Sequence, residues 1–343
     1  MRIEAVRVTA FRNIRDQILD FTSHDRVVFH GGNGQGKTSF LEALYYLLRL
    51  ESFRGAPRGT LVTANESFAA LQGRVAREGM RFRLSVRVDA GGTTALIDRL
   101  RVARFSDYRS QFPVVYFCPR ALSLIEGSPA ERRRYFDRLF SSADSGYAEA
   151  LAKYHRILEH RRAAFPQRNP KLLRVLYSAF RAQSEVLWRA RRACYFRLQS
   201  FWEDPFGKSL GVRWNAGQFP EDESGIEKAF LEGATLTSGP HRDVWRFLCG
   251  NRDLRYFGSR GEQRMALIAM KQAETRYIEA CIGTEAVQIL DDPLAELDTV
   301  AQSFVRALWT GRQCFIATTR AEAVGEDAPC LLLRTERGAV RLS

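Results

Sequence analysis

Residues 31–38 read Gly-Gly-Asn-Gly-Gln-Gly-Lys-Thr and fit the spacing G-x-x-x-x-G-K-[ST] at every fixed position. Such a run does phosphate chemistry. Gly31, Gly32, Gly34 and Gly36 let the backbone N–H groups of the loop, Asn33 and Gln35 included, turn inward around an oxyanion. A helix starting at the loop adds its partial positive charge. Lys37 supplies a point charge for β- and γ-phosphates, and the Thr38 hydroxyl is a ligand for Mg²⁺. The stretch therefore names a bound nucleotide, though not the work done with it.

A second set of chemical groups lies in "VQILDDPLAELD", 287–298. A short apolar run delivering Asp291 and Asp292 reads as a buried strand with carboxylates at its C-terminal edge, where open α/β sheets bind ligands. Asp291 is placed to hold Mg²⁺ through water, and Asp292 to orient or deprotonate an attacking water. Taken alone, paired acids after a strand could merely cap a loop. Just upstream, "FGSRGEQR" (257–264) opens a long helical pattern, with Ser259 as its N-cap. Ser259, Arg260, Gly261, Glu262 and Gln263 form an exposed helix start, another anion site. Because this segment feeds the Asp291 strand, it does not easily face its own Lys37 loop. It is expected to meet the γ-phosphate of a second subunit.

The elements that must hold these groups are legible nearby. "RVVFH" (26–30) reads as a strand, and Phe40, Leu41, Ala43, Leu44, Leu47 and Leu48 recur at helical spacing after the loop. "FRLSVRV" (82–88) alternates as a strand, with a hairpin turn in "AREGM" before it. Arg74, Arg77, Arg81, Arg83 and Arg87 there either touch phosphates or keep one sheet face wet. From about 126 to 235 the pattern is helical: Tyr147, Leu151, Tyr154 and Leu158 share one face, and Leu176, Phe180, Leu187, Cys194, Leu198 and Phe201 mark a longer helix.

A net charge of +13 in 343 residues points to a polyanionic partner, most simply nucleic acid. Only six of the 52 basic residues are lysine, which a GC-rich genome would explain, but that does not explain the excess over 39 acids. Between Glu126 and Arg213 there are 18 Lys+Arg and nine Asp+Glu, so +9 of the charge lies in this arm. Its imbalance of sign favours a surface facing DNA or a partner over a merely solvated face. The six cysteines are scattered without a C-x-x-C pair, which argues against zinc or disulfides and suits a reducing cytoplasm. No apolar stretch approaches the roughly 20 residues of a membrane span.

The order of phosphate loop, S-x-G-x-Q helix, Asp-Asp strand and "ELD" turn resembles that of ABC-type ATPase heads, which sandwich two ATP molecules between two subunits. More narrowly, "AFRNI" (10–14), "SFR" (52–54), "FCPRALSLIEGSPAERRRYFD" (117–137), "GPHRD" (239–243) and "FGSRGEQR" resemble the RecF family over nearly the whole chain. The resemblance implies an α/β fold: an SMC/Rad50-like P-loop ATPase head, residues 1–125 and 236–343, with an antiparallel β-lobe and an inserted helical arm domain, 126–235. It also implies ATP and Mg²⁺ as cofactors, an ATP-dependent homodimer on double-stranded or gapped DNA, cooperation with RecR and RecO, help in loading RecA, and no membrane partner.

Two positions depart from the family pattern. Ala295 replaces a serine after the paired aspartates, and Arg120 stands where a carboxylate is usual. Lys37, Asp291 and Asp292 are retained, so slow, DNA-stimulated hydrolysis is expected. The alternatives are an ATP-holding module with little or no turnover, and a transporter-type ATPase, against which "GPHRD" and "GSP-x-x-RR" speak.

Overall fold

The computed structural model describes every residue except 119–121, 168, 321–323, 325–328 and 343. The chain divides into two compact units, Met1–Ala121 with Ile278–Ser343, and Leu122–Tyr277.

Two six-stranded sheets build the first unit. One runs in the order Ala339–Leu342, Leu331–Glu336, Arg26–His30, Cys314–Thr318, Val287–Asp291, Val114–Phe117. It is parallel apart from its final hairpin, 331–342. Its central strands are covered on both faces, which is why they read as apolar runs without alternation. The second sheet is antiparallel: Ile14–Asp20, Arg2–Phe11, Phe68–Arg77, Met80–Asp89, Gly92–Ile97, Leu100–Arg101. Its central hairpin turns through Glu78 and Gly79 at φ 51° and 77°, as a two-residue type I′ turn requires. Helix Lys37–Arg49 buries Phe40, Leu41, Ala43, Leu44, Leu47 and Leu48 in a core that also takes Val8, Leu71 and Val75 from the antiparallel sheet and Phe29, Ile289 and Phe315 from the parallel one.

Most arginines of the antiparallel lobe have partners within the first unit, though Arg74, Arg81 and Arg87 stay largely exposed. Arg74, Arg81 and Arg87 pair with Asp20, Glu4 and Asp89 at 3.1, 2.9 and 3.2 Å. Arg77 donates to the carbonyls of Gln111 and Ile282.

In the second unit, helices Pro129–Ala143, Ser145–Ala164 and Pro170–Gln199 accompany a three-stranded antiparallel sheet of Leu210–Asn215, Val244–Cys249 and Arg252–Asp253. The strand at 210–215 was not expected in a helical arm; "LGVRWN" is short, and it forms by pairing with 244–249 across a segment that includes helix Ser224–Leu231. The unit also extends beyond the predicted arm, 126–235, because the sheet and helix Arg260–Ile282 as far as Tyr277 pack with it.

"GSP-x-x-RR" and "GPHRD" fasten this unit internally. Ser128 and Glu131 form a reciprocal capping box with Pro129 in the first turn. Arg132 donates to the carbonyls of Trp245, Ile125 and Gly127, and Arg133 to that of Asp243. The carboxylate of Asp243, fully buried, accepts from Arg191 at 2.5 Å, from the indoles of Trp188 and Trp214 at 2.9 and 2.8 Å, and from Gly217 N at 2.7 Å. Arg191 also meets Asp137 at 2.7 Å. Beside them, Tyr154 hydrogen-bonds His241 Nδ1 at 2.6 Å, and burial pushes the imidazole down to about 4.

Removing one member of such a buried ion cluster strands the others without compensation. Arg191→Leu is expected to destabilise the protein by about 3–5 kcal/mol in urea denaturation. A loss below about 1 kcal/mol, the range of an exposed pair, would contradict the structural role assigned to this arginine.

Candidate functional site

Strand Arg26–His30 ends directly into the loop 31–36, and helix Lys37–Arg49 begins at its far side. Two glycines are required by close approach. Gly31 has φ 144°, and a Cβ there would lie 2.5 Å from the Thr335 carbonyl oxygen. Gly36 has φ 109°, with a Cβ meeting the Asn13 side chain at 2.8 Å. The hairpin 331–342 backs the loop further: Gly338 N donates to Gln35 O at 2.8 Å, and Arg337 N to Gln35 Oε1 at 2.8 Å. The phosphate loop is thus moulded against another segment rather than free-standing.

Lys37 is buried, its ammonium donating to the carbonyls of Gly31 and Gly32 at 2.8 and 2.7 Å. Burial pulls its pKa down, opposed by the charges of Asp292 and Asp291. Thr38 Oγ1 donates to Asp291 Oδ1 at 3.1 Å. Burial raises the Asp291 carboxyl above the ordinary carboxylate range against the pull of the Thr38 hydrogen bond, and neighbouring Asp292 raises it further. Asp292 follows at φ 46°, its backbone N held by Ala317 O at 2.8 Å, and Ala295 N closes the turn on Asp292 O at 3.0 Å. A main-chain bond therefore holds the turn in which Ala295 stands. Arg120, the other departure, lies outside the described residues.

Lys37, Thr38, Asp291 and Asp292 line one open cleft of about 530 Å³ together with Asn33, Gly34, Gln35 and Gly36. The same cleft is lined by residues given no role from sequence: Arg12, Asn13, Ser39, Arg54, Thr60 and Val62. For Arg12, Asn13 and Arg54 the signal was present in "AFRNI" and "SFR". The organiser is Glu42, fully buried on the loop's helix. Its carboxylate accepts Arg12 Nε and Nη2 at 2.9 and 3.0 Å and the Ser52 hydroxyl, with Arg54 at 4.0 Å. Ser52 Oγ in turn accepts from Arg54 N and Ala56 N. A buried acid on helix 37–49 thus fixes two cationic residues at the cleft.

Ser259, Arg260, Gly261, Glu262 and Gln263 belong to the second unit. Helix Arg260–Ile282 begins there with Ser259 as cap: its Oγ accepts Glu262 N at 3.2 Å, while the Glu262 carboxylate accepts Ser259 N at 2.8 Å and its hydroxyl at 2.9 Å. Arg260 pairs with Glu126. Gln263 is buried and donates to Leu254 O at 3.0 Å, tying the helix start to the segment before it.

A mainly parallel sheet with a phosphate loop and an Asp-Asp strand, an antiparallel lobe and a helical arm define an ABC-type P-loop ATPase head. Residues 5–110 match a family described as an AAA domain. The sequence is 32% identical to the DNA replication and repair protein RecF of Geobacter sulfurreducens, over 99% of both chains. It is 28% identical to that of Oceanobacillus iheyensis, over 95% of this chain and 96% of the relative. The chain belongs to the RecF family of DNA replication and repair proteins. In fold it is similar to the solved structure of the recombination mediator protein RecF-ATPrS in the RecFOR pathway, with TM-score 0.89 and 22% identity over 99% of this chain and 98% of that one. A more distant likeness, TM-score 0.55 at 14% identity, links it to an Smc head bound to the C-terminal winged-helix domain of ScpA, over 100% and 97% of the two chains. Among the described residues no helix is long and apolar enough to cross a membrane.

The Glu42 cluster makes an asymmetric prediction. Glu42→Gln forfeits charge-assisted hydrogen bonds while Arg12 can still reach water, a cost of about 2 kcal/mol. Arg12→Met instead leaves a fully buried carboxylate short of its bidentate partner, a cost of about 3–5 kcal/mol. Denaturant midpoints should rank the two in that order; the reverse ranking removes Glu42 as the organiser.

Proposed function

We propose that this protein is an ATP-driven, DNA-binding dimer of recombinational repair. The observation that carries the reading is the cleft in which Lys37, Thr38, Asp291 and Asp292 converge on a glycine loop. Residues 31–38 would wrap the triphosphate of ATP with backbone N–H groups, with Lys37 leaving the loop carbonyls for the β- and γ-phosphates. The donor set at Thr38 and Asp291 suits Mg²⁺: two hard oxygens 3.1 Å apart, one a buried carboxylate that a cation would favour in its charged form. Among the described residues no group of three or more carboxylates, histidines or cysteines is placed to hold a metal ion, so phosphate oxygens and water would complete the shell. Bound there, the metal would neutralise phosphate charge.

Asp292 would orient a water toward the γ-phosphorus and accept its proton as the bond to the β-phosphate oxygen breaks, giving ADP and phosphate. In a dimer, Ser259–Gln263 of one subunit would face the γ-phosphate held by the other. That the helix start already holds an anionic group, its own Glu262 carboxylate, supports its suitability for an anion. The γ-phosphate would then hold the two subunits together, and hydrolysis would release them. The basic arm would grip duplex or gapped DNA through phosphates. By analogy with family members of the RecFOR pathway, RecR and RecO are the expected partners and RecA loading the expected outcome.

Size-exclusion chromatography with ATP and Mg²⁺ tests the scheme. Lys37→Ala should lose ATP binding, whereas Asp292→Asn should bind ATP and accumulate as a dimer. An Asp292→Asn protein that stays monomeric while saturated with ATP refutes the proposal. Steady-state phosphate release, with and without duplex DNA, separates a slow ATPase from a module that holds ATP without turnover. Ser259→Arg should abolish ATP-dependent dimers while leaving nucleotide affinity of the monomer within about twofold, since less than 0.5 kcal/mol is expected from a remote surface change. Normal dimers in that variant would remove the shared-site arrangement.

A further inference from the structure

Helix Pro170–Gln199 is 30 residues long, about 45 Å at 1.5 Å per residue. It carries seven basic residues and one acid, Glu185. One face is buried through Leu173, Phe180, Leu187 and Leu198. On the opposite stripe stand Lys171, Arg174, Arg189 and Arg192, all exposed. Among the described residues, none of these four cationic ends meets a carboxylate.

That distinguishes them from Arg181 and Arg191 on the same helix. Arg181 is paired with Glu223 at 2.5 Å and Glu185 at 3.9 Å, which also neutralises the stripe's only acid. Arg191 is enclosed in the Asp243 cluster. The two cationic pairs, 171/174 and 189/192, lie about 27 Å apart along the axis, with Ser178 and Ala182 between them on the same stripe. At its C-terminal end the stripe carries Phe196, 62% exposed, with Arg192 one turn before it.

We infer that this stripe is the surface that grips DNA, the arginines and lysine on backbone phosphates and Phe196 stacked on an unpaired base where duplex gives way to single strand. The inference rests on the DNA-binding reading above and names the place where it happens. Charge selects the occupant: four unpaired cations in a row suit a polyanion, whereas an apolar protein partner would leave them unsatisfied. An exposed aromatic ring beside guanidinium groups is the pairing that single-stranded nucleic acid uses, base on ring and phosphate on cation. Duplex backbone contacts carry no sequence information, so the Phe196 contact supplies discrimination between intact and gapped DNA.

Fluorescence anisotropy on the full chain with ATP and Mg²⁺ tests this, using a blunt duplex and the same duplex with a single-stranded tail. Arg189→Ala with Arg192→Ala should weaken both DNAs about equally, and flatten the dependence of log affinity on log salt by about 1.8 for two lost phosphate contacts. Phe196→Ala should leave the blunt duplex unchanged and cost the tailed DNA about tenfold. Retained ATP-dependent dimers in both variants show that folding is intact. If wild-type protein binds DNA in a salt-dependent way and the double variant matches it in affinity and slope, this surface is wrong and the DNA reading survives; a protein-docking helix would give that result. If Phe196→Ala changes both DNAs alike, or neither, the stacking contact is wrong. Wild-type protein that binds neither DNA defeats the broader reading itself.

Discussion

The hydrogen bond from Thr38 to Asp291 joins residues 253 positions apart, and only the register of the parallel sheet brings them together. Asp291 lies level with Ala317, and Ala317 with Phe29, so the Asp-Asp strand and the loop strand end at the same edge with one strand between them. A slip of one residue would turn the Asp291 side chain to the other face of the sheet. The buried apolar strands that prevent such a slip are therefore part of the site's chemistry. Helix 37–49 completes the arrangement, because its apolar face fixes where Lys37 and Thr38 emerge.

The second unit solves a different problem. Its core contains charges, Arg191, Asp243 and the partly covered Asp137, that would be costly to bury singly. Each is matched by donors or acceptors from separate segments: helix 129–143, helix 170–199, the 240–243 turn and the strands beside it. Such a cluster is satisfied in only one arrangement of those segments, so it specifies the unit as well as holding it. One consequence is that the most family-specific motifs, "GSP-x-x-RR" and "GPHRD", are occupied with internal bonds. Among the described residues, exposed cations without a carboxylate partner stand instead on the outer stripe of the long helix.

Much of the first unit could be read from residues alone, because local pattern and tertiary outcome agree there. The glycine loop, the strands at 26–30 and 287–291, the hairpin at 78–79 and the buried face of 40–48 each follow from spacing and turn chemistry. What escaped reading depends on distant partners. Strand 210–215 exists through its pairing with 244–249. Glu42 organises the cleft through Arg12 and Ser52, and nothing in its neighbours in sequence announces either partner. The lobe arginines were open between phosphate contact and a wet sheet face, and nothing local showed that Asp20, Glu4 and Asp89 lie within reach across the strands or the turn. The end of the second unit at Tyr277 likewise reflects packing, whereas its start at Leu122 lies close to the change to a helical pattern at about 126.

The hairpin 331–342 that backs the phosphate loop has a consequence for biosynthesis. The loop leaves the ribosome well before the strands that supply the Thr335 carbonyl and the Gly338 amide. A nascent chain consequently carries the signature of a nucleotide binder without the wall that shapes it.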